Sequence, residues 1–175
     1  EDGSLALEFN ASELRVFDLH ILKREGAVKD YTSNEIEQAK SQFESLTQSD
    51  IQRISDNMLK GLPGSEEGYS MEEFKAMLNT YKGIDADQLR SYLVQFLSEI
   101  IPLAESLGIR MCIHPDDPPF TLLGLPRVVS TRADYQYIFD QVTPLSNGIT
   151  FCTGSLGVRP DNDLPAIFDA FADRV

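Results

Sequence analysis

The chain has 175 residues, with 28 Asp and Glu against 15 Lys and Arg and a formal net charge of −13 at pH 7. An acidic chain with a pI near 4.4 repels phosphate backbones and anionic membrane surfaces, and no basic cluster offsets it, so neither nucleic acid nor membrane is an expected partner. The 42% hydrophobic and 25% charged composition is that of a globular protein with one domain or two small ones. No apolar run approaches the roughly 20 residues of a membrane span. The opening Glu1-Asp2-Gly3-Ser4 is unlike a signal peptide, and Cys112 and Cys152 are too few for a disulfide scaffold, so the expected location is cytoplasmic.

Residues 1–31 contain two alternating stretches, Leu5–Phe9 and Leu14–Leu19, which predict a β-leaning lead-in. From Thr32 the period becomes helical. Ile36, Ala39, Phe43 and Leu46 form one stripe behind a Thr32/Ser33 cap, and Ile51, Ile54 and Met58 form another behind Ser49. Gly61–Gly68 reads as punctuation, and Ser70 with Glu73 makes a capping box for a helix that Gly83 closes. A longer helix is predicted from Asp85 through Leu89, Leu93, Phe96, Leu97, Ile100, Leu103 and Leu107, with a kink at Pro102 and a glycine cap at Gly108. Beyond it the grammar is βα: a strand over Ile109–His114, a helix from Ser130 to Val142, a turn at Ser146–Gly148, a strand over Ile149–Cys152 and a helix after Asn162.

Strand parity singles out two residues. Side chains alternate faces, so Ile109, Met111 and Ile113 share one side of the first strand while Arg110, Cys112 and His114 share the other; Ile149 and Phe151 oppose Thr150 and Cys152 in the same way. The apolar face suits covering helices, and the polar face suits a barrel interior, whose active-site residues stand at the carboxyl ends of strands. His114 and Cys152 are those end residues. Imidazole and thiolate are common ligands of divalent transition metals, although each residue type is also common in a purely structural setting, and a Cys112–Cys152 disulfide is a further alternative. Asp116 and Asp117 lie in a proline-stiffened loop, where they serve either a metal or polyol, or the turn itself. Ser155 belongs to an open Thr153–Gly157 stretch suited to an anion, and Arg159 offers a fork for a substrate carboxylate or for neighbouring Asp161 and Asp163. Asn162 and Asp163 read as helix caps, His20 as structural, and Glu66-Glu67 and Glu72-Glu73 as solvated charge.

Three segments carry a resemblance: His114-Pro-Asp-Asp-Pro-Pro119, Leu123-Gly-Leu-Pro-Arg-Val-Val-Ser130, and Cys152-Thr-Gly-Ser155 followed by Gly157-Val-Arg-Pro-Asp-Asn-Asp-Leu164. Together with His20–Arg24 and Gly61–Tyr69, they strongly resemble the mannonate dehydratases of hexuronate and glucuronate catabolism. The resemblance implies an α/β fold that is part of a TIM-like (β/α) barrel of the xylose-isomerase type. It also implies a lyase that dehydrates the sugar acid D-mannonate to 2-keto-3-deoxy-D-gluconate with Mn²⁺ or Fe²⁺. By resemblance His114 and Cys152 are metal ligands, and Asp116, Ser155 and Arg159 are assigned to substrate or to support of the site. The general acid and base and the remaining ligands belong to motifs expected after Val175. A whole barrel takes about 250 residues, so the expectation is a middle segment: residues 1–31 as lead-in, 32–107 as a helical insertion with a long barrel helix, and 108–175 as two successive β/α units. A metal-dependent sugar isomerase on the same barrel and an acidic helical interaction module are the rival readings, and a homo-oligomer is left open.

Overall fold

The computed structural model describes Gly3, residues 8–60 and residues 69–175, and divides into two compact units, 1–82 and 83–175. Part of the first alternating stretch, residues 5–7, and the punctuation at 61–68 with Glu66-Glu67 lie outside the described residues.

The first unit is helical throughout its described residues. α1 (Ala11–Val16) starts at Asn10, whose side chain accepts from the backbone N–H groups of Ser12 and Glu13, and it runs on as a π-helical turn over Phe17–Leu22. The expected β-leaning reading of Leu14–Leu19 is therefore corrected. Six residues fit either period, and here the cap and the burial of Leu14, Val16, Phe17 and Leu22 choose the helix. Lys23, left-handed at φ 54°, ends it. A 3₁₀ turn (Ala27–Asp30) leads to α2 (Ser33–Ser45), opened by a Thr32/Glu35 capping box. α3 (Gln48–Lys60) begins one step earlier than its expected Ser49 cap, because Thr47 and Asp50 bond reciprocally instead. α4 (Met71–Thr80) carries the expected Ser70/Glu73 box, and Gly83 follows at φ 89°.

The second unit is α/β. α5 (Ala86–Ser106) is capped by Asp85, continues through Pro102 and ends before Gly108 at φ 69°. Its buried face is Leu97, Ile101 and Ala104, whereas Phe96, Leu103 and Leu107 from the expected stripe are exposed. β1 (Met111–Ile113), α6 (Arg132–Gln141) and β2 (Asn147–Ile149) form a βαβ unit with parallel pairing, Cys112 opposite Gly148. β2 starts two residues earlier than its sequence suggests. Asn147, read as a turn residue, is fully buried and donates its side-chain N–H to Val142 O at 2.9 Å, which draws the segment into the ladder. On β1, Ile113 packs on the core as parity predicts, while Ile109 and Met111 are exposed. α7 (Thr153–Leu156), α8 (Leu164–Phe171) and a 3₁₀ turn (Ala172–Arg174) complete the unit.

The core of this unit gathers Leu97, Ile101, Ile138, Ile149, Leu156 and Ile167 around an aromatic group, with Phe139 and Phe171 packed edge to face at 5.2 Å. Arg174 covers the Phe139 ring at 4.4 Å and donates to the carbonyls of Thr143, Pro144 and Asn147, pinning the turn that aims β2. These contacts fix where the two strands end.

Candidate functional site

β1 ends at Ile113, so His114 is the first residue of the following loop, and Cys152 occupies the position that opens α7. The parallel ladder carries past β2, with Thr150 N donating to Ile113 O at 2.9 Å, and so holds the two exits side by side. The structure thereby brings His114 within hydrogen-bonding reach of the Cys152 thiol. His114 Nδ1 lies 2.7 Å from Pro115 O. A carbonyl only accepts, so Nδ1 donates there, and Nε2 is the ring nitrogen left for another partner.

Cys152 is half-buried, and its thiol is lowered from 9.0 to about 7. The largest causes are the Ser155 hydroxyl and then the Ser155 backbone N–H, opposed by burial, with His114 and the Gly154 N–H adding to the lowering. Ser155 is buried and its hydroxyl donates to Cys152 Sγ at 3.4 Å, so this expected substrate contact faces the sulfur. A thiol lowered this far carries substantial thiolate character near neutral pH. Cys112, on β1, is also a free thiol, which removes the disulfide alternative.

The other two expected substrate contacts are engaged by their own chain. Asp116 Oδ2 accepts from Val129 N at 2.8 Å and Ser130 Oγ at 3.0 Å, and Oδ1 is 3.7 Å from Arg127. Arg159 lays its fork on Asp161, at 3.0 and 2.6 Å, and gives its remaining Nη1 to Pro119 O at 3.1 Å. Asp117 is exposed. Asp163 caps α8 as expected, by accepting from Ala166 N. Asn162 does not cap: it donates to Ser130 O and Leu156 O, a role that nothing in the Asp161-Asn162-Asp163 run distinguishes from capping.

Two further groups escaped the sequence reading. Asp134, buried, accepts from Ser130 N, Thr131 N, the Thr131 hydroxyl and Arg90, holding the entry of α6. Tyr135 is fully buried, its hydroxyl has no partner among the described residues, and burial raises its pKa, helped by the charges of Asp116, Asp134 and Cys152. In the first unit His20 stacks on Phe43 at 5.1 Å and burial pushes its pKa down.

The donor set fits a borderline divalent metal as two of its ligands, one nitrogen and one sulfur. Among the described residues no group of three or more His, Cys, Asp or Glu side chains is placed to share an ion. Nor is any described helix long and apolar enough to cross a membrane.

An α/β chain with imidazole and thiolate at adjacent exits of a parallel βαβ unit presents a donor pair of a kind that metal enzymes use. Comparison makes the class specific. The family model for D-mannonate dehydratase (UxuA) matches residues 1–175, and the chain belongs to that family. It is 48% identical over 174 residues to mannonate dehydratases of Brucella melitensis biotype 2 and biotype 1, covering 99% of this chain and 43% of theirs. The chain thus spans less than half the length of these relatives. A crystal structure of mannonate dehydratase from Streptococcus suis serotype 2 superposes with a TM-score of 0.54 at 35% identity, over 57% of this chain and 29% of that one.

Proposed function

We propose that these residues form part of the site of a cytoplasmic lyase that removes water from D-mannonate. The observation that carries this reading is the placement of the His114 and Cys152 side chains within reach of each other at adjacent strand exits, in a chain whose family match covers every residue. His114 and Cys152 would hold Mn²⁺ or Fe²⁺, which when bound supplies Lewis acidity to charge developing on the carboxylate oxygens of the sugar acid. The chain's own groups prepare that donor pair. Pro115 O selects the imidazole tautomer, and the Ser155 hydroxyl supports the thiolate. Asp116 and Arg159 serve the substrate pocket through the loops they hold, because each would have to release an internal partner to touch a ligand directly.

The fold reading that accompanies this function is a partial TIM-like barrel, with 108–175 as two successive β/α units and 32–107 as an insertion plus a long barrel helix. The parallel crossover from β1 through α6 to β2 supports it, as does the likeness to the streptococcal enzyme. The free thiols suit a reducing compartment.

The test is incubation of the full chain with D-mannonate and Mn²⁺ or Fe²⁺, with product mass as the readout. Loss of one water supports dehydration, whereas an unchanged mass with altered chromatography favours an isomerase. Cys152→Ser and His114→Ala should each abolish turnover and weaken metal binding; full metal occupancy in both would overturn the site.

A further inference from the structure

Three loops converge beyond the ends of β1 and β2. Residues 114–120 carry His114, residues 122–131 enter α6, and residues 150–163 carry Cys152. A side chain bridges each pair of loops. Asp116 ties the first to the second, through Val129 N and Ser130 Oγ, with Asp116 N returning a bond to Val129 O at 2.9 Å. Arg159 ties the third to the first through Pro119 O at 3.1 Å, its guanidinium fixed by the fork on Asp161. Asn162 ties the third to the second, donating to Ser130 O at 3.0 Å and, within its own loop, to Leu156 O at 2.9 Å.

These bridges close a ring. In an open chain of contacts one loop can swing while the others stay; in a closed triangle, displacing any loop strains two bridges at once. Asn162 is the member nearest the thiol along the hydrogen-bond path, because Leu156 N donates to Cys152 O at 3.0 Å. Ser130, whose carbonyl Asn162 holds, is also the residue whose hydroxyl holds Asp116, two positions from His114. We propose that Asn162, with Asp116 and Arg159, forms a positioning triangle that sets the separation of His114 Nε2 from Cys152 Sγ and hence the fit of a divalent metal between them. This rests on the reading of His114 and Cys152 as metal donors. The triangle touches neither metal nor substrate and acts through the loops it joins.

The experiment is a Co²⁺ titration of the metal-free full chain, followed by the thiolate-to-cobalt charge-transfer absorption. Asn162→Asp keeps the shape and replaces both donated hydrogens by an oxygen facing two carbonyls. Arg159→Lys keeps the charge and loses the fork. Removing groups that orient metal ligands typically costs about 10–100-fold in affinity. That loss, with a weakened charge-transfer band, is expected of both variants. Ile54→Val, a buried core change in the first unit, which carries none of the three loops, lowers the melting temperature without moving Co²⁺ affinity, which separates positioning from general destabilisation. If Asn162→Asp does not fold, Arg159→Lys carries the measurement. Unchanged affinity and band in the folded variants overturn the triangle while a lost band in Cys152→Ser keeps the metal reading; a retained band in Cys152→Ser overturns both.

Discussion

The two units each bury a carboxylate among hydrogen-bond donors, and they use it differently. In the first, Asp18 is fully buried and takes the fork of Arg24 at 2.8 and 2.7 Å and the Tyr31 hydroxyl at 2.8 Å, while Arg24 also reaches Asp30. All four residues lie within Asp18–Tyr31, and the network closes on itself around the end of the π-helical turn. In the second, Arg159 and Asn162 join loops 40 and 32 residues apart, Asp116 joins a third pair, and beside them His114 and Cys152 stand at adjacent strand exits as the site's metal-ligand candidates. A local, self-satisfied network stabilises a bend. A network spread over three loops aims two donors, and its members serve geometry.

The comparison breaks most visibly at Asp18. Asp18→Ala leaves the Arg24 guanidinium, only 17% exposed, without its principal partner. Removing one member of a buried pair costs about 3–5 kcal/mol, and urea denaturation of the full chain should show a loss of that size. A loss below about 1 kcal/mol, the range of exposed pairs, would mean that water reaches the network and that Asp18 is not structurally buried in solution.

At Cys152 the expected effect is on titration. Its thiol is lowered to about 7, first by the Ser155 hydroxyl and then by the Ser155 N–H. In a metal-free Cys112→Ser background, the pH profile of alkylation should have its midpoint near 7, and Ser155→Ala should move it upward. A depressed folded pKa fixes the sign of the linkage. The thiolate's contribution to stability is complete above the unfolded value of 9.0, declines as pH falls from there to about 7, and is lost as pH falls through 7. A midpoint at the ordinary thiol value would show that the Ser155 contacts do not form.

What the sequence revealed divides along the same line as the two networks. The Ser70/Glu73 box, the Asp85 cap and the glycine ends at Gly83 and Gly108 are local, satisfied within four residues, and were legible. That His114 and Cys152 follow two successive strands was legible from the sequence, although both strands end before them and Ile109 and Met111 are exposed; their role as ligands rests on the family motifs and is a proposal. The helical state of Leu14–Leu19 was not legible: the Asn10 cap is local but too weak a signal for six residues that fit either period, and the burial that decides it includes Phe17 packing against Phe74 at 6.0 Å, far along the chain. The early start of β2 depends on the burial of Asn147 and its bond to Val142 O, braced by Arg174 from the end of the chain segment, and the bridging role of Asn162 on a carbonyl at Ser130. Caps are written in adjacent letters, whereas bridges between loops exist only once the fold is assembled.

Gly148 gives a smaller, sharper test of that assembly. A Cβ there would lie 2.7 Å from the Arg174 carbonyl oxygen and 3.0 Å from Cys112 Sγ, so the terminal 3₁₀ turn must retreat from β2. Overpacking of this kind costs about 1–3 kcal/mol, and Gly148→Ala should lower the melting temperature accordingly. Unchanged melting would mean that the turn slides away freely and that Arg174 does not pin β2.

The smallest effects compare one motif in two settings. Ser70 and Glu73, and Thr131 and Asp134, make the same reciprocal box, each with a 3.2 Å bond from the backbone N–H and a 2.8 Å bond between side chains. Glu73 is exposed and its carboxyl is held below its usual value first by the Ser70 N–H and then by the Ser70 hydroxyl. Water can replace that hydroxyl, so Ser70→Ala should cost about 1 kcal/mol, present at neutral pH and fading as pH falls through the folded Glu73 value. Asp134 is 8% exposed and also carries Ser130 N and Arg90. Water is a poorer substitute there, and Thr131→Ala should approach about 2 kcal/mol, the upper end for caps. Urea midpoints measured side by side decide it: equal costs would show that the Ser130 and Arg90 bonds add nothing to the cap, and the expected excess would show that burial and those bonds make the same motif stronger in the second unit.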